Sequence, residues 1–257
     1  MDPEFEYALR LVVLFVAAMW AGAQNQLAGG GSFITLPALM LTGLDARAAN
    51  ITSTVALFPG QITGGLIARH MVSGVERLSF RALVILSLIG GVLGAVLLLL
   101  TPSTFFARLV PWLVLFATVA FAWGTFGRKL AAGSDHLGPS AAGVIHFGIA
   151  IYGGYFGGGI GILMLAAFTL AGMAVRNAGA TKNVLAGVIN STAVMVFLVS
   201  GEVWWFAAAI ACVGALLGSV IGARLMQRVN ERRLRVVIIV IGVLLTIGLF
   251  LRSAHVI

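Results

Sequence analysis

Hydrophobic residues run along the chain in long blocks, separated by short stretches rich in glycine, proline and charge. Eight such blocks are present, over residues 8–43, 47–68, 82–100, 105–127, 140–172, 175–199, 203–223 and 234–251. Six of them have about 20 residues, the length at which one α-helix crosses the ~30 Å hydrocarbon layer of a bilayer. The pattern predicts an all-α polytopic membrane protein.

The first and fifth blocks are too long for a single crossing, and each carries three consecutive glycines near its middle, at 29–31 and 157–159. Each glycine in a helix interior costs about 1 kcal/mol relative to alanine, so we expect the helix to break there. The apolar pieces after the breaks, 32–42 and 160–171, are about 16 to 18 Å long as helices, which is too short to span. Each long block is therefore predicted to form a broken or re-entrant helical hairpin.

These two long blocks begin the two halves of an internal repeat. The glycine triplets lie 128 residues apart, and four pairs of residues recur at an offset of 129: Gly43 and Gly172, Arg47 and Arg176, Thr52 and Thr181, Gln61 and Asn190. Duplication explains this recurrence. The first repeat is predicted over residues 1–128 (hairpin 8–43, helices 47–68, 82–100 and 105–127) and the second over 140–257 (hairpin 140–172, helices 175–199, 203–223 and 234–251), joined by a loop at 129–139.

Arginine and lysine positions distinguish two topologies, because short cytoplasmic loops collect basic residues. If every block crosses once, seven basic residues lie on one side and eight on the other. If the two long blocks return to their starting side, the division is eleven against four, with Lys182 set aside inside a helix. The second topology makes the repeats inverted, each a hairpin followed by three transmembrane helices. Against it, residues 8–28 are about 31 Å long as a helix and would span alone.

Composition excludes a soluble domain, because 60% of the residues are hydrophobic, 9% are charged and the mean hydropathy is +1.08. The excess of 16 Lys and Arg over 8 Asp and Glu lies between apolar blocks, which indicates membrane topology and no nucleic-acid partner. Cys212 is the only cysteine, so neither an intrachain disulfide nor a cysteine-based metal cluster can form. No cofactor is expected.

Polar residues and glycines at the two breaks form the first part of a candidate substrate site. A helix that restarts inside the membrane directs its free N–H groups and the positive end of its dipole into a cavity, which favours an anion. The alternative is that the glycines only let helices pack closely. The candidates at the breaks are Asn25, Gln26, Gly29, Gly30, Gly31, Ser32, Tyr152, Gly157, Gly158 and Gly159.

Polar residues inside the following helices form the second part. Lys182 lies about two turns into an apolar block, where a charge is costly unless an anion offsets it or the side chain extends to the membrane surface; both interpretations stay open. The other candidates are Asn183 and Asn190 and, at equivalent places in the first half, Thr52, Ser53 and Gln61. Acidic residues lie in or beside loops or at the amino terminus, which favours an anion over a cation as substrate.

Four motifs resemble the sulfite exporter family TauE/SafE, also called the toluene-sulfonate uptake permeases, over nearly the full chain. They are Ala28-Gly29-Gly30-Gly31-Ser32 with Pro37, Ala49-Asn50-Ile51-Thr52-Ser53, the glycine-rich run from Gly153 to Gly161, and Asn177-Ala178 through Thr181-Lys182-Asn183 to Asn190. The resemblance implies secondary transport of sulfite, sulfoacetate or related sulfur-containing anions across the bacterial inner membrane, without an organic cofactor. One departure, Gln24-Asn25-Gln26 in place of smaller residues, leaves the exact ligand open.

The leading hypothesis is alternating access at a midplane site between the two hairpins. The substrate oxygens would be held by half-helix N–H groups and by Thr52, Ser53, Lys182 and Asn190. A passive anion channel and, with less support, an intramembrane enzyme are the alternatives; we expect no enzyme activity. The expected partners are a small anion and the lipid bilayer. Transport direction, coupling ion and oligomeric state stay open.

Overall fold

The computed structural model describes residues 3–27, 29–75, 78–126, 138–225 and 231–254. Within these ranges the chain forms ten α-helices, one short 3-10 turn at Arg69–Met71 and no β-strand. The helices are α1 (Pro3–Leu27), α2 (Ser32–Leu41), α3 (Ala46–Ala68), α4 (Phe80–Leu100), α5 (Ser103–Phe126), α6 (Pro139–Tyr155), α7 (Ile160–Leu170), α8 (Val175–Leu198), α9 (Trp205–Leu225) and α10 (Glu231–Ala254).

Both glycine triplets interrupt the helix, as the sequence predicts. The first break separates α1 from α2 and the second separates α6 from α7. Gly29 and Gly30 have φ angles of 84° and 83°, and Gly157 and Gly159 have 75° and 79°. These left-handed conformations are sterically costly for residues with a Cβ atom, and glycine adopts them freely.

Helix length and composition confirm a polytopic helical membrane protein. Five helices, α1, α4, α5, α8 and α9, contain stretches long and apolar enough to cross a bilayer. The half-helices α2 and α7 have 10 and 11 residues. They extend only about 15 to 17 Å, so neither spans. The first long block thus contains one helix, α1, that is long enough to cross by itself.

In each half of the chain, the first helix packs against a helix of the other half. In chain order α1 to α5 form the first half and α6 to α10 the second. The helix α1 lies along α9, and α6, the first helix of the second half, lies along α4. At the centre α3 packs against α8, and at the periphery α5 packs against α10. Each first helix is therefore buried against the fourth helix of the other half.

Glycines allow this close contact between helix backbones. Gly214, Gly218 and Gly222, spaced by four, lie on the face of α9 that contacts α1. A Cβ atom built at any of them would overlap backbone atoms of Phe15, Met19 or Ala23. Small residues at this spacing let transmembrane helices approach closely, and the loss of side-chain surface is offset by direct backbone packing.

The central helices α3 and α8 run antiparallel, as contacts at their ends show. At the start of α3 the Thr52 hydroxyl accepts a hydrogen bond from the Trp204 N–H, in the loop after α8, at 3.2 Å. At the start of α8 the Thr181 hydroxyl accepts one from the Ser73 N–H, in the loop after α3, at 3.1 Å. The start of each central helix is thus fixed to the loop that follows the other.

Candidate functional site

A small, partly enclosed cavity lies where the two breaks meet the central helices α3 and α8. Its volume is about 40 Å³, roughly that of three ordered waters. The residues that line it are Asn25, Gln26, Gly29, Gly30, Ser32, Gln61, Gly157, Ile160, Gly161, Lys182, Asn183 and Ala186. Both breaks contribute backbone to this wall, since a Cβ atom built at Gly29 would lie 3.8 Å from the Cα of Gly161.

The amino-terminal ends of both half-helices border the cavity. Ser32 is the first residue of α2, and Ile160 and Gly161 are the first two residues of α7. The first N–H groups of an α-helix have no carbonyl partner within the helix. Neither Gly31 nor Gly159, which precede these helices, supplies a side-chain cap. The N–H groups of Phe33 and Ile34 donate to carbonyls of the first break, and that of Ile162 donates to the Gly159 carbonyl. The N–H groups of the cavity-lining residues Ser32, Ile160 and Gly161 therefore remain, each at the positive end of a helix dipole.

The Lys182 side chain adds a full positive charge at the same place. It extends from α8, has only 7% of its surface exposed, and donates a hydrogen bond from Nζ to Asn183 Oδ1 at 3.1 Å. A Cβ atom built at Gly161 would lie 3.4 Å from Nζ, so the ammonium group lies beside the first turn of α7. Among the described residues that line the cavity none carries a carboxylate. The electrostatics of the site favour a negatively charged ligand.

Carboxamide side chains before the first break form hydrogen bonds that stabilise its backbone conformation. Asn25 Oδ1 accepts the Gly31 N–H at 2.7 Å, and Gln26 Nε2 donates to the Gly60 carbonyl of α3 at 2.8 Å. Gln24 Nε2 donates to the carbonyls of Gly29 and Gly30, both at 3.3 Å. Because the oxygen of Asn25 is engaged, its NH₂ group is the part that remains to donate to a ligand.

Gln61 and Asn190, which lie 129 residues apart in the sequence, contact each other at the crossing of α3 and α8. Asn190 Nδ2 donates to Gln61 Oε1 at 2.5 Å. Gln61 lines the cavity, whereas Asn190 lies behind it with 2% of its surface exposed.

The variant Gln61→Leu is expected to lower the stability of the protein by about 1 to 3 kcal/mol, because it leaves a buried amide of Asn190 without its partner. The double variant Gln61→Leu with Asn190→Leu removes both polar groups and should be closer to the parent than either single variant. Thermal unfolding of the four proteins in the same detergent measures this coupling. Additive effects of the two substitutions would contradict the pairing.

Nine of the predicted site residues line the cavity: Asn25, Gln26, Gly29, Gly30, Ser32, Gln61, Gly157, Lys182 and Asn183. The other seven are not among the lining residues. Gly31 and Gly159 directly precede α2 and α7, Gly158 packs against Phe33 and Phe156, and Asn190 contacts Gln61.

Three predicted hydroxyl groups have protein partners outside the cavity wall. Thr52 accepts the Trp204 N–H, as described above. The Ser53 and Thr35 hydroxyls share a hydrogen bond of 2.5 Å. Tyr152 donates to the Leu113 carbonyl at 3.3 Å. Ser53 and Tyr152 therefore connect helices to one another in this conformation, and Thr52 connects α3 to the loop after α8.

Three lining residues were absent from the predicted set. Ile160 and Gly161 follow the second triplet directly, and the principle that a half-helix directs its first N–H groups into the cavity identifies them. Ala186 lies one helical turn after Lys182, on the same face of α8. Its side chain has no polar group, so nothing in the sequence distinguishes it from other apolar helix positions.

The described residues contain no group of three or more His, Cys, Asp or Glu side chains placed to hold a metal ion. The chemistry available in the cavity is that of backbone N–H groups, carboxamides, one hydroxyl and one ammonium group. Groups of these kinds can hold an anion by charge and hydrogen bonds, without forming a covalent bond to it.

Three relatives of the chain are each named as a probable membrane transporter protein. The chain is 26% identical over 244 residues to a probable membrane transporter protein of Haemophilus influenzae, covering 92% of each chain. It is 28% identical over 252 residues to the probable membrane transporter protein YfcA of Escherichia coli K12, covering 95% of this chain and 91% of that one. It is 30% identical over 253 residues to the probable membrane transporter protein ORF9 of a Sinorhizobium species, covering 95% and 94%.

No solved structure matches the chain. The family description that matches it is sulfite exporter TauE/SafE, over residues 14–249, which is nearly the whole sequence and includes both breaks and both central helices. The protein therefore belongs to the TauE/SafE sulfite exporter family of multi-pass membrane transporters.

Proposed function

We propose that this protein is a secondary transporter that moves small sulfur-containing anions, such as sulfite or an organosulfonate, across the bacterial inner membrane by alternating access. The observation that carries the proposal is the meeting of the first turns of α2 and α7 with the Lys182 ammonium group around one cavity. A ligand there would be held at the junction of the two halves of the chain. Such midplane junctions are where transporters built from repeats bind their substrates.

The charges around the cavity support an anion as the substrate. Each helix N-terminus is equivalent to about half a positive charge, so two of them with Lys182 give roughly two positive charges around the ligand. Sulfite and sulfonate groups present three oxygen atoms that accept hydrogen bonds. The matching donors are the ammonium of Lys182, the NH₂ of Asn25 and the first backbone N–H groups, those of Ser32, Ile160 and Gly161.

The size of the cavity supports a small substrate in this conformation. Room for roughly three waters accommodates an anion with about as many oxygen atoms, and an aromatic sulfonate needs the site to expand. We therefore place sulfite first among the candidate substrates, small organosulfonates such as sulfoacetate next, and toluenesulfonate last.

The arrangement of α3 and α8 supports inverted repeats, the plan that alternating access uses. Equivalent helices that pack antiparallel and touch at equivalent residues, Gln61 and Asn190, are related by a two-fold axis perpendicular to them. If both helices cross the membrane, that axis lies in the membrane plane and the halves are inverted. The repeats proposed on this basis are residues 1–128 and 140–257, and the eleven-to-four division of basic residues agrees with this topology.

The test is uptake of radiolabelled sulfite into proteoliposomes that contain the purified protein. Uptake above that of protein-free liposomes is expected, with competition by unlabelled sulfite strongest, by sulfoacetate weaker and by toluenesulfonate weakest. Taurine, whose ammonium group brings a further positive charge into a site that already contains Lys182, is expected to compete poorly. Uptake no greater than in protein-free liposomes for every anion of this panel would contradict the proposal. Single-channel currents in a planar bilayer would favour the alternative, a passive anion channel.

A further inference from the structure

One side chain, that of Arg47, connects several segments at the end of the bundle where α3 begins. Its Nη2 lies 2.7 Å from Glu202 Oε1, in the loop between α8 and α9. Its Nη1 donates to the Thr101 carbonyl at 2.8 Å and to the Leu99 carbonyl at 3.3 Å, at the turn between α4 and α5. The planar guanidinium presents several donors in a fixed arrangement, and here it joins three separate segments.

Two further hydrogen bonds connect this cluster to the second break. The Tyr155 hydroxyl donates to Thr101 Oγ1 at 3.4 Å, and Asn50 Nδ2 donates to the Tyr155 carbonyl at 3.1 Å. Tyr155 is the last residue of α6, two residues before the cavity-lining Gly157. The cluster around Arg47 is therefore linked to the backbone of the substrate site.

A layer of buried aromatic rings lies between that cluster and the cavity. The Tyr155 ring packs edge-on against Phe106 with centroids 5.6 Å apart, and the Phe156 ring is 6.5 Å from that of Phe33. Phe33 and Phe156 also cover Gly158 of the second triplet. Aromatic rings thus pack on the second break, and the hydrogen bond from Tyr155 links this layer to the turn that Arg47 contacts.

Exposed aromatic side chains indicate that this end lies at the membrane surface. Trp204, Trp205 and Phe206, which follow Glu202 directly, are 59%, 62% and 64% exposed. Phe105, just after the Thr101 turn, is 58% exposed. Tryptophan and other aromatic residues of this kind mark the boundary between lipid and water. Arg47 and Glu202 are thus placed where an entering or leaving substrate meets water.

The cavity lies nearer to the other end of the central helices. Gln61 is about 21 Å along α3 from Arg47, and Lys182 directly follows Thr181, which contacts the loop after α3. Side chains at that end of α3, such as Ile62, are exposed, and Asn183 is only half-buried. In this conformation the cavity therefore lies away from the Arg47 end.

We propose that the Arg47–Glu202 ion pair, with the hydrogen bond from Arg47 to the Thr101 carbonyl, is the gate of this end of the transporter. It is intact when the site is closed to that side of the membrane and breaks when the site opens to it. The two side chains are 20% and 31% exposed, so water replaces the partners as they separate, and a partly solvated ion pair can open and close reversibly. This inference rests on the proposed transport function.

The gate is tested by the reactivity of a single cysteine at Thr54, introduced after Cys212, the only native cysteine, is replaced by alanine. Thr54 is buried on α3 next to Gly157, with its Oγ1 3.5 Å from a Cβ atom built there. A charged methanethiosulfonate that does not cross membranes is added to sealed vesicles of each orientation. Arg47→Gln is expected to raise the labelling rate from the Arg47 side by about tenfold or more, the factor implied by loss of a charge-assisted hydrogen bond.

Two more variants make the result decisive. Glu202→Gln, which keeps the bonds of Arg47 to the two carbonyls, is expected to raise labelling less than Arg47→Gln and serves alone if Arg47→Gln does not fold. Arg108→Gln, which removes an exposed arginine of α5, is expected to label at the parent rate. If Arg47→Gln and Glu202→Gln are both monodisperse and both label at the rate of the parent protein, the proposed gate is wrong.

The labelling is measured without substrate, so it separates the two proposals. Faster labelling in protein that takes up none of the anions supports the gate and contradicts only the transport function. Unchanged labelling in protein that does transport sulfite contradicts only the gate.

Discussion

Lys182→Met is expected to weaken the apparent affinity for sulfite by roughly 10- to 100-fold, because a hydrogen bond from a charged group contributes about 1.5 to 3 kcal/mol. Lys182 is the only cationic side chain among the described residues that line the cavity. Methionine fills nearly the same space without the charge, so the change acts on electrostatics and leaves packing largely intact. The measurement is the concentration dependence of sulfite uptake into proteoliposomes.

Thermal stability without substrate distinguishes lost binding from lost folding. Replacing a nearly buried charge by an apolar residue is often neutral or stabilising, so the unfolding temperature of Lys182→Met should equal or exceed that of the parent. Stabilisation of the parent by added sulfite should be absent in the variant. Arg108→Gln removes the same charge from an exposed position and should transport normally. An unchanged affinity in Lys182→Met would show that Lys182 does not contact the anion.

Gly154→Ala is expected to destabilise the protein by about 1 to 3 kcal/mol, the usual cost of adding atoms to a tightly packed interface. Gly154 lies on α6 where this helix crosses α4, and a Cβ atom built there would lie 2.9 Å from the carbonyl carbon of Gly91. Backbone atoms cannot rotate away as a flexible side chain can, so the two helices must separate. Thermal unfolding in detergent measures the loss.

Gly148→Ala on the same helix is the matched control, and its effect should have the opposite sign. No atom lies within 4 Å of a Cβ atom built at Gly148. Alanine there restricts the unfolded chain and favours the helix, which stabilises by about 0.4 to 1 kcal/mol. If both substitutions shifted the unfolding temperature in the same direction by a similar amount, close contact between α4 and α6 would not be what Gly154 provides.

The breaks were predictable from sequence because they depend on local backbone energetics. Three adjacent glycines weaken a helix wherever they occur, and the positive φ angles of Gly29 and Gly157 are conformations that few other residues adopt. The short length of α2 and α7 followed from the same reasoning. No knowledge of the neighbouring helices was needed for either prediction.

The candidate site was predictable in part. The predicted residues that do not line the cavity show why the prediction was incomplete. Lys182 and Gln61 face the cavity, and each was identified because a polar group inside an apolar helix needs a partner. Thr52 and Ser53 met the same criterion, but their partners are Trp204 and Thr35. A sequence shows that a hydroxyl needs a partner, and it does not show whether the partner is a ligand or another part of the protein, because that depends on which helices meet.

The pairing of helices was not predictable. The glycines of α9 at 214, 218 and 222 indicate a surface for close packing, yet they do not specify α1 as the helix that packs there. A repeat with a hairpin and three helices is equally compatible with two self-contained halves. The contacts of α1 with α9 and of α6 with α4 result from the fit of surfaces that are distant in sequence.

This pairing has a consequence for biosynthesis. The ribosome releases about 180 residues between the end of α1 and the start of α9, which at ~5 to 20 residues per second takes roughly 10 to 40 s. Throughout that interval the surface of α1 that will meet the glycines of α9 is in contact with lipid or with the insertion machinery. The packing of α1 is therefore completed only when α9, the second-last described helix, has been made. A chain truncated before α9 leaves α1 without the neighbour against which it packs.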